Sequence, residues 1–221
     1  VPFDRYPVLI SLSRRLVVVF GGTRAAERTA AAMAAHGADV VVITPDVSDS
    51  LTALEASGVL TVEPRGYVRG DLAGAFLAVS AADSPEIQVA IRDEAKTRGT
   101  LLNVLADADA SDFTVPSVVR RGALQIAVST GGIAPAAARR VRRELAAAYG
   151  PEWAVYVALL GAVRARAIER YGVGDWGLKP LFDSIEASDL LDRIKAGEDP
   201  TAEEVLEQHA ASMEPSAADP S

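Results

Sequence analysis

The 221-residue chain contains no cysteine and only two histidines, His36 and His209. Disulfides, thiolate nucleophiles and cysteine-built metal sites are therefore excluded, and two imidazoles are too few for a histidine-built centre, so no metal site is expected. No apolar run approaches the ~18 residues that read as a membrane span. The opening residues carry Asp4 and Arg5 with no secretory hydrophobic stretch behind them, so the expectation is a soluble chain with a cytoplasmic address and no membrane partner. Basic excess is missing as well: 22 Lys and Arg face 30 Asp and Glu, a net charge of -8. A broad nucleic-acid footprint needs uncompensated cations to neutralise phosphates, so nucleic acid is not an expected partner, and an anionic ligand has to be met by a local basic patch.

What is present is apolar and periodic: 49% of the residues are hydrophobic, enough for one large domain or two small ones. Leu16-Val17-Val18-Val19-Phe20 is short, β-branched and non-alternating, as in a strand buried on both faces of a parallel sheet. Gly21 and Gly22 end it. Residues 24–36 are Ala-rich and favour a helix, and Gly37 stands where a helix C-terminus takes a left-handed residue. Val40-Val41-Val42-Ile43 is a second buried strand, stopped by Thr44-Pro45-Asp46, which completes a βαβ unit of right-handed crossover.

The alternation continues with a helix at 49–57, strands at 60–63 and 76–80, a helix at 85–98 and a strand at 100–104, followed by a polar stretch at 106–112. The fold class read from this order is α/β, a Rossmann-like doubly wound parallel sheet. Beyond Phe113 the character changes. Residues 115–119 and 124–128 read as two antiparallel strands joined through Arg120-Arg121-Gly122, and helices follow at 134–149, 151–171 and 185–196. Pro151 suits a first helical turn. The small, polar residues from 213 onward read as a disordered tail.

Gly21-Gly22-Thr23-Arg24-Ala25-Ala26 lies between a strand and a helix, the context in which a glycine fingerprint has physical meaning. The first Gly makes the tight turn and the helix N-terminus offers N–H groups to a pyrophosphate. The spacing reads G-x-T-x-x-A, so Thr23 replaces the glycine that ordinarily admits the pyrophosphate closest to the backbone; its hydroxyl can donate to a phosphate instead. Asp46 stands at the distance of an acidic ribose ligand, or is a turn residue after Pro45.

Tyr6-Pro7-Val8-Leu9-Ile10-Ser11-Leu12, Val17 to Gly22 and Ala26-Glu27-Arg28 resemble the opening of the siroheme-synthase N-terminal family of precorrin-2 dehydrogenases. The resemblance continues through Ala81-Ala82-Asp83, Pro85-Glu86, Asn103-Val104, Asp112-Phe113, Pro116-Ser117 and Ser129-Thr130-Gly131-Gly132 with Pro135, covering residues 6–195. It implies a homodimer with an NAD-binding Rossmann-like domain at 1–113, a dimerisation segment at 114–148, a helical domain at 149–212 and the tail at 213–221. It implies hydride transfer from precorrin-2 to NAD, giving sirohydrochlorin. Some members also insert ferrous iron, and the methyltransferase domain fused in others is expected to lie outside this chain.

The expected cofactor-binding residues are Gly21, Gly22, Thr23, Arg24, Ala25, Thr44, Pro45, Ser80, Ala81 and Ala82. The substrate side is expected at Asn103, Ser129, Thr130, Gly131, Gly132, Arg139 and Arg142. The family's catalytic aspartate stands three residues after the asparagine matching Asn103, which here is Ala106, so Asp107 next to it is the catalytic candidate, with loop solvation or helix capping as its alternative. Thr130 matches a serine near the family's active site and equally suits a capping turn. Arg139, Arg140, Arg142 and Arg143, with Arg120 and Arg121 upstream, either grip a polycarboxylate macrocycle or form a solvated face. His36 is expected at a helix C-terminus, and Trp153 and Trp176 in the core of the helical domain. The departures at Thr23 and Ala106 keep two other readings open: a tetrapyrrole-binding module without hydride transfer, and a bifunctional dehydrogenase and ferrochelatase.

Overall fold

A computed structural model describes residues 5–105, 107–172 and 174–213, with backbone only at Asp175 and Trp176. Ala106, the side chain of Trp176 and the tail expected after Met213 lie outside the described residues. The chain forms two compact units that divide between Val115 and Pro116.

The first unit is built on five parallel strands, β1 (Leu16–Phe20), β2 (Asp39–Ile43), β3 (Thr61–Glu63), β4 (Leu77–Ser80) and β5 (Leu101–Val104), in the order β3-β2-β1-β4-β5. Strand order reverses direction at β1, which places the switch point of a doubly wound sheet between β1 and β4. The valine run explains the central strand. Val17 and Val19 face a cluster with Ala26, Ala30 and Met33 of helix α1 (Arg24–Ala34) and Leu51 of helix α2 (Asp49–Ala56). Val18 and Phe20 face the opposite cluster with Ile91 and Ala95 of helix α3 (Pro85–Arg98). A strand covered on both faces has no polar side, so every residue is apolar.

Each helix of this unit starts at a hydroxyl. Thr23, Ser48 and Ser84 accept from the backbone N–H of Ala26, Leu51 and Ile87 at 3.3, 3.1 and 3.4 Å, satisfying donors that a helix start leaves open. α1 ends at Ala34 rather than at residue 36, because the N–H groups of His36 and Gly37 turn back to Met33 and Ala34 and Gly37 takes φ +80°. His36 Nδ1 lies 2.6 Å from the Ala32 carbonyl, consistent with its expected place at a helix end.

The second unit opens with the hairpin β6 (Ser117–Arg121) and β7 (Leu124–Val128), paired antiparallel. Helices α4 (Pro135–Ala148), α5 (Glu152–Tyr171), α6 (Lys179–Glu186), α7 (Leu190–Lys195) and α8 (Ala202–Gln208) follow, with short 3-10 turns at Asp175–Leu178 and Ala210–Met213. The single helix expected at 185–196 is instead two. The Ser188 hydroxyl donates to the Ile185 carbonyl at 2.6 Å and accepts from Leu190 N–H at 3.3 Å, so a side chain takes over backbone bonding at the break. α8, which periodicity had not announced, starts at a capping box in which Thr201 and Glu204 bond each other's backbone N–H. Val163, Leu181, Ile185, Leu190, Val205 and Leu206 make its core. Trp153 is half-buried between Tyr149 and Tyr156, at ring distances of 5.0 and 5.6 Å.

Candidate nucleotide site

The carboxyl ends of β1, β2 and β4 surround a cleft of about 420 Å³ in the first unit. It is floored by the β1–α1 turn, and both glycines there answer to close neighbours. Gly21 has φ +95°, and a Cβ on it would stand 2.7 Å from the Ala81 carbonyl oxygen; one on Gly22 would stand 2.5 Å from that of Asp46. The turn therefore threads between two connections that leave no room for a side chain.

Thr23 completes the turn. Its Oγ1 accepts from Ala26 N–H, and no described residue takes its hydroxyl proton. The N–H groups of Arg24 and Ala25 have no acceptor among the described residues. A bare backbone turn, a helix N-terminus and a free hydroxyl donor together suit a pyrophosphate, so the missing second fingerprint glycine leaves a workable anion cradle. The Arg24 and Ala25 side chains do not line the cleft.

Thr44 and Pro45 do line it. Buried Thr44 Oγ1 lies 3.3 Å from both the N and the O of Asp46, shaping the turn that brings exposed Asp46 to the cleft. Ala81 and Ala82 form the facing wall. Ser80 is buried beneath them rather than facing the cleft: its hydroxyl bonds Gln88 of α3 and accepts from Ala82 N–H. Its role is to aim the β4–α3 connection.

The sequence reading missed Gly66, Tyr67 and Ile87, which also line the cleft. Tyr67 belongs to an irregular connection between β3 and β4. Its ring meets Phe20 edge-on at 5.5 Å, and its hydroxyl donates to Glu94 of α3 at 2.7 Å. Glu94 is only 3% exposed. Burial pushes its carboxyl up, but the N–H groups of Gly70 and Leu72, the Tyr67 hydroxyl and Arg98 outweigh burial and hold it below the ordinary glutamate value. Burial and the bond to Glu94 push the Tyr67 phenol up to about 12. No periodicity could announce this pair, because one partner sits in a loop and the other looks like a surface charge on a helix.

Past β5 the chain folds back on the strand. Ser111 Oγ accepts from Val104 N–H at 2.8 Å and donates to the Asp107 carbonyl at 2.6 Å, while Asp112 accepts from Leu102 N–H at 2.9 Å. Asn103 is buried and donates to the Phe113 carbonyl at 2.8 Å, and Asp107 is exposed with Oδ1 accepting from Ala110 N–H at 3.0 Å. One carboxylate oxygen of Asp107 thus caps its own turn.

The remaining expected residues lie in the second unit. Ser129 accepts from Gly131 N–H and Thr130 from Ala134 N–H, each at 3.2 Å, and Gly131 and Gly132 take φ +62° and +87°. These bonds close the turn on itself ahead of α4, whose N-cap Ala134 takes no side-chain cap. Arg139 is exposed, Arg142 half-buried, and Arg140 pairs with Glu144. Arg121 leaves the expected cationic cluster: its guanidinium donates to the carbonyls of Ala146 and Tyr149 and closes the C-terminus of α4. Among the described residues no group of three His, Asp or Glu could hold a metal, and no single helix is long and apolar enough to cross a membrane.

Residues 8–117 match the family described as NAD(P)-binding, and residues 121–148 match the one described as sirohaem biosynthesis protein central. The chain belongs to the siroheme-synthase N-terminal family. Siroheme synthase 1 of Aeromonas salmonicida is 32% identical over 168 residues, covering 76% of this chain and 36% of that protein. Siroheme synthase of Azotobacter vinelandii is 31% identical over 218 residues, covering 97% of this chain and 46% of its own length. The chain thus spans less than half the length of these relatives. A solved structure titled SirC, precorrin-2 dehydrogenase, superposes with a TM-score of 0.75 at 25% identity, covering 94% of this chain and all of that one.

Proposed function

We propose that this chain oxidises precorrin-2 to sirohydrochlorin with NAD as hydride acceptor. The observation that carries the reading is the glycine-walled cleft at the sheet's switch point, in a chain that aligns along nearly its whole length with a precorrin-2 dehydrogenase. When bound, NAD supplies the two-electron acceptor: one hydride leaves the macrocycle, a proton follows to base or solvent, and sirohydrochlorin, NADH and H⁺ result. Gly21, Gly22 and Thr23, with the N–H groups of Arg24 and Ala25, hold the pyrophosphate. Thr44, Pro45, Ala81 and Ala82 flank it, and Ser80 supports them from below.

On the substrate side, Asp107 takes the departing proton through the carboxylate oxygen that Ala110 does not occupy. Asn103 orders the strand end behind it. In the second unit, Ser129, Thr130, Gly131 and Gly132 present a turn with little side-chain bulk, and Arg139 and Arg142 meet macrocycle carboxylates. Residues 114–148 serve as the dimerisation segment of a cytoplasmic homodimer; exposed Ile133 and Val141 in this stretch support that reading.

Anaerobic incubation with precorrin-2, with and without NAD, tests the reaction by absorbance. NAD-dependent sirohydrochlorin formation is expected. Substrate binding without conversion would instead favour a binding module, the reading that the Asp107 turn cap supports. Asp107→Ala is expected to lower kcat about a hundredfold, the lower range for a general base; unchanged turnover removes Asp107 from the mechanism.

A further inference from the structure

We infer that Glu94 is a positioning residue for cofactor affinity: it holds Tyr67 as the apolar wall against which the adenine ring packs. This rests on the proposed NAD site and adds residues that the fingerprint does not contain.

The connection between Glu63 and Leu77 has no helix or strand, so its shape has to come from side chains. Two carboxylates supply it. Glu94 accepts from the Tyr67 hydroxyl at 2.7 Å, from Gly70 N–H at 3.0 Å, from Leu72 N–H at 3.4 Å and from Arg98 at 2.6 Å. Asp71 takes both arms of the Arg65 guanidinium at 2.9 Å and the Val68 N–H at 2.8 Å. Burying a carboxylate is costly unless every lone pair is met, and here they are. Of the residues so restrained, Tyr67 is the one that reaches the cleft, with Gly66 beside it.

The lining of the cleft is mixed. The glycine turn, Thr23, Thr44, Asp46, Asp83 and Ser84 are polar, whereas Tyr67 and Ile87 are apolar, with buried Phe20 and Ile43 behind them. Ile87 is 37% exposed, apolar surface that a flat uncharged ring can cover. The pyrophosphate belongs at the α1 N-terminus and the adenosine ribose beside the end of β2, which leaves the Tyr67 and Ile87 surface to adenine.

The test is titration calorimetry of the full chain with ADP-ribose, which carries adenine and pyrophosphate without nicotinamide, alongside KM for NAD and for precorrin-2. Tyr67→Ala is expected to raise the ADP-ribose Kd roughly tenfold, the scale of one base–aromatic contact. Tyr67→Phe, which keeps the ring and removes only its tether, and Glu94→Gln are expected to raise it about threefold, one hydrogen bond's worth. KM for NAD should follow while KM for precorrin-2 stays. A purely structural role would lower the melting temperature and leave Kd unmoved in the folded protein. A wild-type Kd in Tyr67→Ala, or in both Tyr67→Phe and Glu94→Gln, overturns the inference and leaves the NAD site standing. Failure of the wild-type chain to bind either ADP-ribose or NAD overturns both.

Discussion

Gly22 and Gly58 show how differently one residue type can be constrained. A Cβ on Gly22 would overlap the Asp46 backbone at 2.5 Å, whereas one on Gly58 would meet nothing within 4 Å, although Gly58 has φ +70°. Gly22→Ala is expected to destabilise the chain by about 1–3 kcal/mol through overpacking and to weaken NAD binding more than tenfold. Gly58→Ala should cost about 1 kcal/mol from backbone conformation alone and leave NAD affinity unchanged. Thermal melts with NAD titrations separate the two; equal NAD affinity in both variants would remove Gly22 from the cradle. At Thr23 one oxygen caps α1 while no described residue takes its proton. Thr23→Val is expected to cost about 1 kcal/mol of stability together with NAD affinity, and Thr23→Ser to restore both.

At the scale of elements, the β3–β4 connection depends on Glu94 being ionised. Its folded pKa lies below the ordinary glutamate value, so its contribution is complete above that value, near pH 4.3, and drains away as pH falls through the folded one. The wild-type melting temperature is therefore expected to fall more steeply than that of Glu94→Gln between about pH 5 and 3. Parallel curves would show that Glu94 is not linked to folding. In the second unit, Arg121 closes α4 through the carbonyls of Ala146 and Tyr149. Arg121→Ala is expected to cost about 1.5–3 kcal/mol, the range for a hydrogen bond to a charged group, seen as a lower denaturant midpoint without loss of NAD binding.

For the whole molecule, each unit has its own apolar core, and the cleft belongs to the first. NAD at about a hundred times its Kd is expected to stabilise the unit that binds it by about 2.7 kcal/mol. Scanning calorimetry should show the shift in the transition that also responds to Gly22→Ala. A transition that NAD leaves unmoved at that excess would count against the cleft.

The strands and helices around the cleft were legible from residue order alone, because an unbroken valine run and an Ala-rich stretch closed by Gly37 are local signals. β1 and α3 fall on their expected residues, and Gly21, Gly22, Thr44, Pro45, Ala81 and Ala82 converge because parallel strands end at one edge. The break at Ser188 and the loss of Arg121 from the cationic cluster were not legible, since each depends on where a side chain finds its hydrogen-bond partner. The Tyr67–Glu94 pair lies 27 positions apart, across a loop without periodicity. Sequence by itself determined the parallel sheet, its glycine turn and the family. Only tertiary structure decided that Ser80 is buried beneath the cleft, that Asp107 caps its own turn and that a buried carboxylate shapes the cleft wall. Periodicity reports which face of an element is covered, whereas partners distant along the chain are set by packing.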